Sequence, residues 1–159
     1  MTEARAVPTL YEWAGGIEAL EKLTAEFYRR VPDDPLIGPV FAHMSPEHPR
    51  HVALFLAEVL GGPTEYSEGH GGHRHMVMRH LGKHLSQEQR RRWMALLLET
   101  ADDLGLPDDP EFRSALVGYL EWGSRLAVIN SQDGGEAPPE GAPMPQWNWG
   151  APGGPYVPE

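Results

Sequence analysis

The sequence predicts an all-α fold, and three observations carry that expectation. Apolar residues recur at helical spacing in successive segments. No run shows the alternating, β-branched-rich pattern of a strand. Gly, Pro and cap-forming side chains fall at the ends of the periodic segments. Leu20, Leu23, Phe27 and Val31 predict an amphipathic helix over 17–31, entered through Gly15-Gly16. A short turn over 35–41 follows. Pro46 suits the first turn of a second helix behind Ser45 as N-cap, with Val52, Phe55, Leu56, Val59 and Leu60 on one face. Gly61-Gly62-Pro63 stops it, and 64–72 reads as a loop. A short helix is expected from His73 to about Lys83. Ser86 and Gln89 form a capping box that opens the next helix, in which Trp93, Leu96, Leu97, Thr100 and Leu104 keep the period until Gly105. Asp109-Pro110 opens the last helix, with Phe112, Leu116, Tyr119, Leu120, Gly123, Leu126 and Ala127 inward. Five or six helices are expected in all.

The chain has 159 residues, a length that suits one domain, and its apolar fraction of 40% is enough for a core. The composition changes near Ser131. Residues 1–130 read as the folded domain and 131–159 as a Pro/Gly-rich tail without regular structure. That tail carries Trp147, Trp149 and Tyr156. Two readings stand for them: chance aromatics in a solvated tail, or a tail lying over an apolar groove of this chain or of a partner. A formal net charge of −10 argues against a nucleic-acid binder and against a polybasic membrane anchor. There is no cysteine, so no disulfide, thiolate site or iron–sulfur cluster. No apolar run is long enough to span a membrane, and the N-terminus lacks the layout of a secretory leader, so a cytoplasmic location is expected.

All eight histidines lie between His43 and His84. Neutral imidazole is a ligand for zinc, copper, nickel and haem iron. His80 and His84 are spaced i, i+4, which on a helix sets two imidazoles on one face. No Glu lies between them, against a metalloprotease of the H-E-x-x-H type. Two readings remain: a zinc or nickel module on His73, His75, His80 and His84, or one helical histidine beside an apolar slot wide enough for haem. Phe41, Val52, Phe55, Leu56, Met76, Leu85, Trp93 and Leu97 are able to line such a slot, and would otherwise be ordinary core.

Three blocks then carry a family resemblance. One is Tyr11-Glu12-Trp13-Ala14-Gly15-Gly16 with Phe27-Tyr28. Another is Phe55-Leu56 through Gly61-Gly62-Pro63, Tyr66-Ser67-Glu68 and Gly72-His73. The third is Met78-Arg79-His80 with Trp93 thirteen residues on. In combination these make residues 10–131 resemble the group II truncated haemoglobins. The resemblance implies a two-over-two helical sandwich around haem b. It makes His80 the proximal iron ligand, because His84, nine residues before Trp93, does not fit the spacing.

On the distal side the resemblance implies that Tyr28 and Trp93 donate hydrogen bonds to the bound ligand, with His48 at a gate position and Phe41 and Val52 beside it. Arg79 is the expected partner of the haem propionates, backed by His51, Tyr66 and His73, with Lys83 and His84 near the haem edge. His43, His70 and His75 are left as surface residues. The expected ligands are dioxygen, nitric oxide, carbon monoxide and sulfide. Tight, slowly released oxygen suits ligand chemistry or sensing better than transport, and turnover of peroxide or nitric oxide stays open. A reductase would supply electrons, and the protein would be a monomer or homodimer. The sequence departs from the family pattern in a segment at Gly69–Gly72 that is one residue longer, in Lys83 where an aromatic is usual, and in the tail.

Overall fold

The computed structural model describes residues 6–150 and Gly154. Tyr156, and residues 1–5 at the start of the stretch inspected for a leader, lie outside them. The described residues form seven α-helices and no strand: α1 (Leu10–Ala14), α2 (Gly16–Arg30), α3 (His48–Val59), α4 (Glu65–Gly69), α5 (Gly72–His80), α6 (Gln87–Asp103) and α7 (Pro110–Asn130), with single 3-10 turns at Val31–Asp33 and Gly38–Phe41. The pair α2/α3 packs on the pair α6/α7 through α2 against α6. This two-over-two arrangement buries Leu20, Leu23 and Phe27 of α2 against a core that includes Val59, Leu97, Leu116 and Leu120.

Local chemistry explains most boundaries. Ser86 and Gln89 form the capping box that opens α6. Asp109 caps α7, accepting from the N–H of Phe112 at 3.0 Å and from the Trp13 indole at 2.8 Å. The short α1, with a Thr9–Glu12 capping box, has too few residues to show a period. Gly15 joins it to α2 at φ +112°, where a Cβ would also lie 2.9 Å from that of Ala19. Tyr11 then reaches over Gly62, and its hydroxyl accepts from the N–H of Ile17 at 3.1 Å. A Cβ on Gly62 would meet the Tyr11 ring at 2.7 Å, so the first and second resemblance blocks are two sides of one contact.

Three expectations need correction. Helix α3 starts at His48, not at Pro46, because the Ser45 hydroxyl accepts from Glu47 N within a turn and leaves Pro49 in the first helical turn. The loop expected over 64–72 contains α4, anchored from outside: the buried carboxylate of Glu58 accepts from both the N–H and the hydroxyl of Ser67. Helix α5 ends at His80 rather than Lys83. Gly82 and His84 take positive φ, and the irregular segment after the helix is tied to the end of α7, where Ser131 O and Oγ accept from His84 N and Leu85 N, each at 2.9 Å. His80 and His84 therefore do not share a helix face.

Candidate functional site

Between α3, α5, α6 and α7 lies an apolar cavity of about 610 Å³, within the usual range of cofactor and ligand sites. His80 reaches it from the last residue of α5. Its Nδ1 lies 2.8 Å from the carbonyl oxygen of Met76, one turn earlier. A carbonyl can only accept, so Nδ1 carries the proton and Nε2 keeps its lone pair for a ligand. Burial, reinforced by the nearby Arg79 and Lys83 charges, holds the imidazole below its ordinary pKa, although its bond to Met76 opposes this.

Tyr28 of α2, Phe41 and His48 of α3 form a close aromatic group across the cavity. The Tyr28 ring lies 5.4 Å from Phe41 and 4.8 Å from His48, both edge-on. Trp93 of α6 meets Phe27 edge-on at 6.0 Å and lines the same cavity. Burial raises the Tyr28 hydroxyl far above its ordinary pKa, and the neighbouring Trp93 indole offsets only part of that, so Tyr28 stays a proton donor. Burial, with the charges of Arg79, His51 and His80 behind it, pushes His48 down to about 4. It is neutral at pH 7, and its Nε2 is buried without a hydrogen-bond partner.

Val52, Phe55, Tyr66, Met76 and Leu85 complete the apolar lining, with His51, His73 and Arg79 among the polar members. Arg79 is exposed, a cation at the edge of the cavity. Burial raises Tyr66 to about 12. The Nδ1 of His73 is a second buried atom without a partner. Two expected residues are not brought to the cavity. Leu97 is buried in the core one turn beyond Trp93, and His84 points out toward Asp133, 3.5 Å away, with 57% of its side chain exposed. His70, expected at the surface, is half-buried, its ring 4.6 Å from His51 and stacked 6.0 Å from Tyr66. His43 and His75 are exposed at the cavity's mouth.

Sequence reading missed the wall supplied by α7, where Tyr119, Trp122, Leu126 and Ala127 line the cavity. The helical period marks three of them as inward but does not separate core from cavity. It also missed Arg90, whose side chain is only 3% exposed, bonded to Gln87 at 2.7 Å and 3.5 Å from the Glu121 carboxylate. Nothing local sets it apart from Arg91 and Arg92. Among the described residues no group of three or more His, Cys, Asp or Glu is placed to hold a metal ion, which removes the support for a zinc or nickel module. The arrangement suits haem instead: one imidazole with its tautomer set, a flat apolar slot, an unpartnered distal nitrogen and a cation at the rim.

The profile of the bacterial-like globin family matches residues 9–121. The group 2 truncated hemoglobin of Bacillus subtilis is 36% identical over 117 residues, which cover 74% of this chain and 86% of that protein. The chain belongs to the bacterial-like globins, among the group II truncated haemoglobins. Solved structures agree. The group II truncated hemoglobin of Bacillus anthracis superposes with a TM-score of 0.71 at 27% identity, covering 82% of this chain and 98% of that one. The truncated oxygen-avid haemoglobin of Bacillus subtilis gives 0.67 at 36% identity, covering 76% and 99%. As a truncated haemoglobin the chain takes haem, in this family haem b, and through it binds oxygen and other small ligands. No helix among the described residues is long and apolar enough to cross a membrane.

Proposed function

We propose that this truncated haemoglobin binds dioxygen tightly, with His80 as the protein ligand to iron and Tyr28, Trp93 and His48 as the groups that hold the diatomic ligand. The observation that carries this reading is the 2.8 Å contact between His80 Nδ1 and Met76 O, which leaves Nε2 as a lone-pair donor at the cavity wall. Haem iron supplies the reversible coordination of oxygen, nitric oxide, carbon monoxide or sulfide. The chain supplies the rest. The Tyr28 hydroxyl keeps its proton, and the Trp93 indole beside it can only donate, so these two groups would offer hydrogen to a bound ligand that carries partial negative charge. Neutral His48 offers a third polar atom, still unpartnered. Phe41 adds no donor and keeps that corner dry. Arg79, with His51, Tyr66 and His73 behind it, serves the propionates at the rim.

A site with a buried Tyr28 donor and a partly buried Trp93 donor would release oxygen slowly, which suits ligand chemistry or sensing rather than transport. The Bacillus subtilis neighbour is described as oxygen-avid. The test is retention of haem through gel filtration by the variants His80→Ala and His84→Ala. His80→Ala is expected to lose the Soret band and regain it with added imidazole, while His84→Ala keeps it. Haem retained by His80→Ala and lost by His84→Ala would overturn the assignment.

A further inference from the structure

Residues 132–150 leave α7 and run back across the molecule without helix or strand. Several fastenings hold them. The carbonyl of Pro138 accepts from Arg74 of α5 at 3.1 Å. Met144 is buried. The N–H of Trp147 donates to Val59 O at the end of α3 at 2.8 Å. The Trp149 indole donates to Pro8 O at 2.7 Å, its ring edge-on to Trp13. Of the two readings of the aromatic tail, the structure selects the groove on this chain. The family match ends at residue 121, so the strap lies outside it.

Part of the strap belongs to the cavity. Pro145 lines it directly, as Trp122 does. The Trp147 ring lies 5.5 Å from Tyr119 and 5.7 Å from Trp122, two residues through which α7 faces the cavity. One turn along α7 the Tyr119 ring passes over Gly123, where a Cβ would already lie 3.3 Å from the phenol. No side chain at 123 braces that ring from its own helix. What presses on it from outside is Trp147.

We propose that the strap is an outer wall of the haem cavity, and that Trp147 is a positioning residue which, through Tyr119 and Trp122 and together with Pro145, controls how fast small neutral ligands pass between solvent and cavity along α7. The wall is apolar and aromatic, so it opens by side-chain motion rather than by breaking ion pairs. Removing the Trp147 indole takes away the contacts on one side of Tyr119 and leaves space that a diatomic molecule can use. This rests on the reading that the cavity holds haem.

The experiment uses the full-length, haem-loaded protein and follows carbon monoxide after flash photolysis, with haem transfer to excess apomyoglobin and thermal melting measured alongside. Trp147→Ala is expected to raise the bimolecular association rate about threefold or more and to lower the fraction that rebinds without leaving the protein. It should also speed haem loss. Trp147→Phe, which keeps a ring against Tyr119, should restore the wild-type rate. Trp149→Phe, which loses the bond to Pro8 and part of the contact with Trp13, should leave that rate unchanged while lowering the melting temperature. Pro145→Ala, a smaller change facing the cavity, should raise the rate about twofold and serves if Trp147→Ala does not take up haem. Lower melting temperatures with wild-type association rates in both the Trp147 and Pro145 variants would overturn the proposal and leave the strap a staple. A wild-type protein that takes up no haem would overturn the functional reading itself.

Discussion

Tyr28 and Trp93 come from different helices, yet each is held by an aromatic neighbour: Tyr28 by His48 and Phe41, Trp93 by Phe27. Those edge-on contacts limit how far either ring can turn. Phenylalanine at 93 keeps an aromatic ring, smaller than the indole, and removes the N–H. Trp93→Phe should therefore speed oxygen release roughly tenfold, the weight of one buried hydrogen bond of about 1–1.5 kcal/mol. Stopped-flow displacement of oxygen by carbon monoxide checks this, and an unchanged rate reduces Trp93 to packing. His48 predicts a pH effect. Burial depresses its pKa from 6.5 to about 4 in the folded state. As pH falls through that window the unfolded chain takes up the proton first, so stability is complete above 6.5 and falls toward 4. His48→Gln should lose less stability across the window, measured by urea unfolding at each pH. An equal loss in both proteins would assign the acid sensitivity elsewhere. At this scale the sequence was eloquent about residue types but blind to direction. As an i, i+4 pair His80 and His84 look equivalent; the family spacing to Trp93 favours His80, and the end of α5 at His80 turns His84 away from it.

That end is imposed by another element. Within the segment 81–86, Leu81 N and Lys83 N close turns on Met78 O and His80 O, but His84 and Leu85 are met by the close of α7: Ser131 accepts from their two successive N–H groups, and the Gln132 amide donates to Leu85 O at 2.8 Å. Ser131 is fully buried, and its hydroxyl in turn donates to Val128 O at 2.7 Å. Ser131→Ala strands Leu85 N and should cost about 1–2 kcal/mol, read as a lower denaturation midpoint. It should also speed haem loss, because the segment that follows His80 loosens. A variant with the wild-type midpoint would show that water replaces the hydroxyl. Elements with their own caps, such as α6 and α7, were legible to within a residue, since the cap is written in the same segment it serves. Those held from a distance, such as α4 on Glu58, were not.

Over the whole molecule the cavity sits where the four long helices and α5 would otherwise need a core. Filling it should dominate stability. With haem at a thousandfold excess over its dissociation constant, mass action contributes about 4 kcal/mol, or a melting shift of about 10 °C for a chain of this size. Calorimetry of the loaded and haem-free proteins checks this, and coincident melts would contradict haem as the resident group. The helical class, the main breaks and the family motifs were determined locally, because helical period, capping and turn chemistry act over a few residues. Three matters needed the folded chain: which inward face lines a cavity rather than a core, which histidine keeps a free lone pair, and where the Pro/Gly-rich tail lies. Each depends on contacts between residues far apart in sequence, from Ser131 with Leu85 to Trp147 with Val59 and Tyr119, and no pattern within a short stretch of chain encodes such a meeting.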